Sequence, residues 1–349
     1  MPDGRVRAFV DIADAPDLQL GDKDNNLRKV QQFLLRFGYL SEEAYEGGVL
    51  DPPTSSALSL YQERSSLKVT GSLDEETRNS MTTARCAMPD LIDGVAFRAR
   101  CSWDRVRLTY AFGPGTNDTA GASEFDAVRT AFATWAAASP LRFTEVNATD
   151  NPDILIDWRD ANDPDLSMVG GTLAHADWPP NCGVVTNQLP KPVHFDDSEH
   201  VWAIGAAADA YDVETVALHE IGHIIGLEHS TVNGAVMVAS VSDNFTLRVL
   251  QPDDLAGVHQ LYSPPCSVAF QANTGNLWTL DPDLNEVDRG LGMMADTSPS
   301  ITPVGSGNFY AVAFQANTGN LWTLDPGPGA VDRGLGMRTG TSPSVTLRV

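Results

Sequence analysis

The sequence predicts a multidomain protein in three parts: a small all-α unit, an α/β domain with a mixed twisted sheet and helices, and C-terminal all-β repeats. Three observations carry this. Apolar residues recur at helical spacing over residues 26–83, strand runs alternate with a helix from Trp103 onward, and a tract near the end recurs 44 residues later. At 349 residues the chain exceeds one ordinary core, because domains usually run about 100 to 200 residues.

Composition narrows the function. Apolar residues make up 42% and charged residues 20%, which allows packed cores and argues against wholesale disorder. With 23 basic and 46 acidic residues the net charge is −23, and the only lysines are Lys23, Lys29, Lys68 and Lys191. Such a surface repels phosphate backbones and anionic lipid headgroups, so nucleic acid and membrane surfaces are disfavoured partners. The acidity serves solubility first, and some of the aspartates are candidate calcium ligands. No stretch approaches the ~20 apolar residues of a membrane span, and the start MPDGRVRAFVDIAD lacks the apolar run of a secretory signal. If Cys86 stays free, Cys101, Cys182 and Cys266 allow one disulfide in any of three pairings.

Taken in order, residues 1–25 read as an N-terminal tail. Over 26–83, Val30, Phe33 and Leu34, then Ala57, Leu60 and Tyr61, recur at helical spacing around a Gly38-Tyr39 turn. A second turn, Val69-Thr70-Gly71, precedes an acidic helix start at Asp74-Glu75-Glu76. This pattern resembles the peptidoglycan-binding-like fold that serves matrixins as a propeptide; a generic three-helix packing unit would share the fold. Residues 84–100 follow as a switch segment and activation linker; over 91–100 Gly94 breaks regular structure and Arg98 and Arg100 offer basic cleavage points.

Residues 101–264 form the predicted α/β domain. Val106–Tyr110 reads as a strand, Phe125, Val128, Ala131, Phe132 and Trp135 share a helix face, and strand runs follow at 141–146 and 153–158. Residues 265–349 hold the repeats: AFQANTGNLWTLDP at 269–282 and 313–326, DRGLGM at 288 and 332, TSPS at 297 and 341. The period and the single Trp per copy resemble the tectonin or bacterial-lectin type of β-propeller. A closed propeller needs at least about four blades, so either the sequence is cut short or copies assemble between chains. Trp278 and Trp322 are expected in the blade core.

The segment His219-Glu220-Ile221-Gly222-His223-Ile224-Ile225-Gly226-Leu227-Glu228-His229 carries the chemistry. On a helix starting near Asp212, His219 and His223 lie one turn apart on one face, as two ligands of one Zn²⁺ must. On a continuing helix His229 would sit about 15 Å from His219 along the axis. Gly226 permits a left-handed turn that brings it back. Three ligands leave the fourth tetrahedral position open for the water that hydrolysis consumes. Glu220 is placed to take that water's proton and return it to the leaving amine. Met237 resembles the Met-turn of metzincins, and Ser230 directly after His229 is similar to matrixins in particular.

Two further resemblances extend this. Ala84-Arg85-Cys86-Ala87-Met88-Pro89-Asp90 is similar to the matrixin cysteine switch, with alanines replacing its first proline and its glycine. The resemblance implies that the Cys86 thiolate fills the fourth position in a latent form, with Arg85 and Asp90 paired. GGTLAHADW at 170–178 and HFDDSEHVW at 194–202 resemble matrixin stretches that hold a structural zinc and a calcium. His175 and His194 would then be zinc ligands, and Asp196 and Glu199 would bind calcium with the carbonyls of Met168, Gly170 and Thr172. Asp153 resembles a ligand of a second calcium. The sequence departs from the family where Asp160 and Asn162 stand for the His and Asp zinc ligands, and Ser167 for a calcium-binding Asp. Asp160 is the candidate third zinc ligand, while His200 and His259 read as surface histidines.

The resemblance covers about residues 26–262. It implies an extracellular zinc endopeptidase, made latent, that acts on proteins or peptides. Leu173-Ala174 would line the edge that pairs with substrate, and Ala239 and Val241 stand where the family walls its specificity pocket with Pro and Tyr. A second reading makes the chain a carbohydrate-binding protein acting through the repeats, and a third makes it a cell-wall anchor acting through residues 26–83. Intact Glu220 argues against the second, and the adjoining Cys86 against the third.

Overall fold

A computed structural model describes residues 9–42, 44–92, 99–262, 269–280, 286–303, 310–325 and 329–344. The chain divides into two compact units, residues 1–135 with 142–261, and 136–141 with 262–349. In the first, a short α1 (Val10–Ala13) precedes α2 (Leu27–Arg36), α3 (Pro52–Arg64) and α4 (Glu75–Met81). Asp51 and Asp74 cap α3 and α4 by accepting the amide N–H of Thr54 and Thr77, at 3.0 and 2.8 Å. Their core joins Val30, Phe33, Leu34, Leu58 and Tyr61. Contrary to the expected free tail, Ile12, Ala15 and Leu18 are buried in that same core. Three apolar residues within one helical turn and its flanks are too few to give a periodic signal.

The α/β part contains β1 (Arg85–Cys86), β2 (Arg107–Phe112), α5 (Ser123–Ala138), β3 (Arg142–Glu145), β4 (Ile154–Arg159), β5 (Thr172–Ala176) and β6 (Lys191–Asp196). These strands form one sheet in the order β1-β5-β6-β4-β2-β3. β5 runs antiparallel to β6 while the other neighbours are parallel. β5 and β6 are buried along their whole length, and between them they carry the buried polar residues Thr172, His175, Lys191, His194 and Asp196. A two-stranded ribbon of β7 (Trp202–Ala203) and β8 (Tyr211–Asp212) leads into α6 (Val213–Ile224), and α7 (Pro252–Leu261) closes the unit.

β1 belongs to the segment read as the cysteine switch, and it adds to the edge of β5. The cleavage points fare differently: Arg98 lies outside the described residues, whereas the Arg100 N–H is bound to the Gly226 carbonyl at 2.8 Å. A residue paired in this way is a poor protease target. Cys101 pairs with Cys182, and Cys266 lies outside the described residues.

In the second unit, β9 (Ala269–Gln271), β10 (Asn276–Leu280) and β11 (Glu286–Gly292) form a three-stranded antiparallel meander. β12 (Ser300–Pro303), β13 (Tyr310–Gln315), β14 (Asn320–Asp325) and β15 (Gly329–Gly336) form a four-stranded one. Their core is Leu277, Met293, Val312, Phe314 and Ala316. Trp322 is half-buried and packs against this core as expected, whereas Trp278, also half-buried, is not part of it. Trp278 directs its indole N–H to the Thr274 hydroxyl instead, at 3.3 Å.

Candidate metal centre

α6 begins at Asp212, whose carboxylate accepts the Thr215 N–H at 3.0 Å, and it carries His219, Glu220 and His223 inward. It ends where Gly226 adopts φ 101, with the Leu227 N–H closing on the Gly222 carbonyl at 2.9 Å. That left-handed turn returns His229 to the other two rings. His223 Nε2 lies 3.1 Å from His219 Nε2 and 3.2 Å from His229 Nε2. Cys86 Sγ completes the group, 3.6 Å from His223 Nε2.

These distances test whether the residues fit a zinc ion. Each Nδ1 faces an acceptor: the Val236 carbonyl at 2.8 Å for His219, the Leu227 carbonyl at 2.8 Å for His223, and Asp90 Oδ1 at 2.7 Å for His229. Each Nδ1 therefore holds the proton, and the three Nε2 lone pairs point at one another. Without a cation between them that arrangement is repulsive. Tetrahedral Zn–N bonds of about 2.05 Å and a Zn–S bond of about 2.3 Å place N and N roughly 3.3 Å apart, and N and S roughly 3.6 Å apart. The observed spacings match a three-nitrogen, one-sulfur site.

The electrostatics agree. Burial pulls His219 down to about 3, and burial with its histidine neighbours lowers His223 well below its ordinary range. Both rings are held in the neutral form that binds metal. Burial pushes Glu220 up to about 8. Its Oε2 lies 3.7 Å from Cys86 Sγ, and its Oε1 is buried without a hydrogen-bond partner. Burial, and after it the Glu220 charge, also raise the Cys86 thiol. Ionised sulfur in this position therefore requires a cation beside it.

Beneath the rings Met237 packs against Gly222, where any Cβ would collide with Met237 Sδ. Asp254 of α7 holds this turn by accepting the N–H groups of Val236 and Met237, at 2.9 and 3.1 Å. A small apolar cavity opens beside Glu220, bounded by Leu173, Val216, Val236, Ala239, Val241 and Leu247.

The Cys86 segment fills the groove above. The Cys86 N–H donates to the Ala239 carbonyl at 3.0 Å, and the Ala87 N–H to the Ala174 carbonyl at 2.9 Å. It thus occupies the β5 edge, the place where an extended peptide would add as a strand. Arg85 is buried against Asp90 in an ion pair. Burial opposes ionisation of Asp90, but Arg85 and His229 hold it below the usual carboxylate range. Farther along, Arg36 of α2 donates to the carbonyls of Ser167 and Val169.

The outer metal positions differ from expectation. Asp163, His175 and His194 form the second cluster of metal-binding side chains, with His194 Nδ1 2.6 Å from Asp163 Oδ2. Asp160 is corrected to Asp163, because Asp160 is exposed and its carboxylate closes a local turn on the Asn162 N–H at 2.9 Å. Three donors are one short of an ordinary structural zinc site. The third cluster is Asp196, Glu199 and His200. His200 is buried rather than on the surface, and Asp196 Oδ2 is buried without a hydrogen-bond partner, as suits a cation site.

The other calcium candidates are engaged elsewhere. Asp153 pairs with Arg105 and accepts the Thr109 N–H. The Met168 carbonyl accepts from the Thr172 hydroxyl at 2.6 Å, and the Gly170 carbonyl from the Phe9 N–H. The Gly170 and Gly171 N–H groups donate to Glu199. Added calcium is expected to raise the melting temperature through Asp196 and Glu199, and Asp196→Ala is expected to remove that shift. A calorimetric scan with and without the ion reads both.

Three converging imidazoles beside a buried carboxylate are the arrangement of a zinc peptidase site. The comparisons with known proteins carry this to a family. The matrixin family model matches residues 102–263, and a model for a putative peptidoglycan binding domain matches residues 23–81. Metalloendoproteinase 5-MMP of Arabidopsis thaliana is 34% identical over 265 residues, covering 70% of this chain and 72% of that protein. The interstitial collagenase of Bos taurus is 34% identical over 226 residues, covering 64% of this chain and 45% of that one. The hatching enzyme of Paracentrotus lividus is 34% identical over 246 residues, covering 69% and 40%. The chain belongs to the matrixin family and is a zinc metalloendopeptidase. Both matched models end before residue 264, so the carbohydrate-binding reading gains no support from them.

Proposed function

We propose that the protein is a latent extracellular endopeptidase in which His219, His223 and His229 hold the catalytic zinc, Cys86 blocks it, and Glu220 is the proton carrier. The observation that carries this is the convergence of three Nε2 atoms and Cys86 Sγ at 3.1–3.6 Å, with every Nδ1 facing an acceptor. Zinc, when bound, supplies Lewis-acid activation of water and of the scissile carbonyl. The chain's own residues do the rest. Once Sγ withdraws, Glu220 faces the vacated position, accepts the water's proton on its carboxylate and delivers it to the departing amine nitrogen. The β5 edge at Leu173-Ala174 orients the extended peptide through main-chain hydrogen bonds. The small apolar cavity suits a compact apolar side chain after the scissile bond rather than a large one. The Cys101–Cys182 disulfide supports an oxidising, extracellular setting.

On this reading the chain up to the linker is the propeptide, and cleavage falls in the linker, upstream of the paired Arg100. His223→Ala is expected to release the metal, and a chelator-competition assay that still finds one tightly bound zinc would contradict the three-histidine site. The C-terminal repeats are expected to be dispensable: a chain ending at Tyr262 should match the full chain on a short peptide, as a fluorogenic assay of both would show. Casein hydrolysis by the cleaved chain, abolished by a chelator, is the first experiment to do.

A further inference from the structure

His229 follows a helix that has already ended, so its position depends on whatever holds the turn at residues 224–228. A single short segment does most of this. The Arg100 N–H donates to the Gly226 carbonyl at 2.8 Å, and Ala99 bridges antiparallel to Leu227. The Trp103 indole N–H donates to the Ile224 carbonyl at 2.8 Å. The Cys101 carbonyl lies so close to Gly226 that a Cβ there would collide with it.

The Arg100 side chain adds a second layer. Its Nη1 meets Glu228 Oε1 at 3.1 Å, its Nε donates to the Cys182 carbonyl at 3.1 Å, and its guanidinium lies 4.8 Å over the Trp178 ring. Trp178 in turn donates its indole N–H to the Leu227 carbonyl at 2.8 Å, the same carbonyl that faces His223 Nδ1.

The Cys101–Cys182 disulfide ties this segment to the loop that follows β5. That loop is itself anchored. The buried Asp177 carboxylate accepts the N–H groups of Trp178, Val184 and Thr186 at 2.8–3.0 Å and pairs with the buried Lys191 ammonium at 2.8 Å.

We propose that residues 99–103, closed by the Cys101–Cys182 disulfide, are a positioning brace for the third zinc ligand, and that the mature enzyme depends on the disulfide more than the latent form does. The asymmetry follows from the geometry. In the intact chain His229 is also held from the propeptide side, by Asp90 at 2.7 Å. Cleavage upstream of Ala99 frees that hold and turns the brace into a chain terminus, and termini fray unless tied down. The disulfide is then the covalent cross-link that holds this new terminus to the loop after β5.

This inference rests on the three-histidine zinc reading. The test compares full-length and cleaved forms of the unmodified chain with Cys101→Ser/Cys182→Ser, measuring zinc affinity by chelator competition and the visible spectrum after cobalt substitution. The cleaved double variant is expected to bind zinc about 10-fold more weakly, the scale of lost outer support at metal sites. Its cobalt bands should shift, and kcat should fall with KM little changed. The intact double variant should lose less. Arg100→Ala, which keeps the disulfide, should move zinc affinity and spectrum in the same direction, and Arg100→Lys should recover part of the loss; this variant carries the test if the double variant does not fold. Equal zinc affinity and an unchanged cobalt spectrum in the cleaved variants would overturn the brace. An unmodified chain that binds no zinc would overturn the site itself.

Discussion

Replacing Glu220 with alanine is expected to lower peptide hydrolysis by about 10²–10⁴-fold while zinc stays bound, because on the proposed reading this residue moves a proton and makes no metal bond. The structure sharpens the expectation. Glu220 is fully buried, its Oε1 has no hydrogen-bond partner, and the nearest sulfur is the Cys86 Sγ that fills the groove. Removing the carboxylate thus breaks no hydrogen bond to Oε1 and eliminates a buried ionisable group, so folding should be unimpaired. The check is a paired measurement on the cleaved chain: turnover of a peptide and zinc per molecule. Loss of both together would mean that Glu220 serves the metal rather than the proton.

Cys86→Ser is expected to give an active full-length chain without cleavage, because a neutral hydroxyl is a far poorer zinc ligand than a thiolate. The unmodified chain should be silent until it is cut, or until a mercurial takes the thiol. Latency has two parts that this substitution separates. On the proposed reading the sulfur fills the fourth position, and the tether keeps it at an effective concentration that can reach millimolar. The groove contacts add to the tether: Cys86 N–H to Ala239, Ala87 N–H to Ala174, and Arg36 to the Ser167 and Val169 carbonyls. Activity in Cys86→Ser should therefore be partial, limited by a segment that still lies on the β5 edge, and should rise on cleavage. A variant as silent as the unmodified chain would show that groove occupancy alone causes latency.

What could be read from the sequence was what has a period or a fixed spacing. His219 and His223 sit one turn apart, Gly226 marks the turn, and the structure brings His229 within 3.2 Å of His223 as that spacing required. The helices of residues 26–83 were legible for the same reason, because Val30, Phe33 and Leu34 line one buried face. Asp163 was not legible. It comes from a loop without periodicity, one residue beyond the Asp160–Asn162 turn to which counting back from GGTLAHA leads. The string Asn162-Asp163-Pro164-Asp165, twelve residues ahead of His175, was the available signal. His200 looked incidental because nothing in its neighbours announces burial, yet packing beside Tyr211 places it next to Asp196.

Contacts distant in sequence were the least accessible. Three cysteines gave three pairings, and only the fold selects Cys101 with Cys182. The pairing of Arg36 with a loop more than a hundred residues away leaves no mark in local sequence. In the repeats the Trp was the conspicuous residue, but alternation along β10 turns Leu277 inward and leaves Trp278 half-exposed.

X-ray absorption at the zinc edge of the purified full-length chain, before and after cleavage between Ile92 and Ala99, tests the central claim most directly. The account predicts one sulfur at about 2.3 Å and three nitrogens at about 2.0–2.1 Å before cleavage, with the sulfur replaced by a light atom afterward as activity appears. A zinc shell without sulfur in the intact, inactive protein would contradict it.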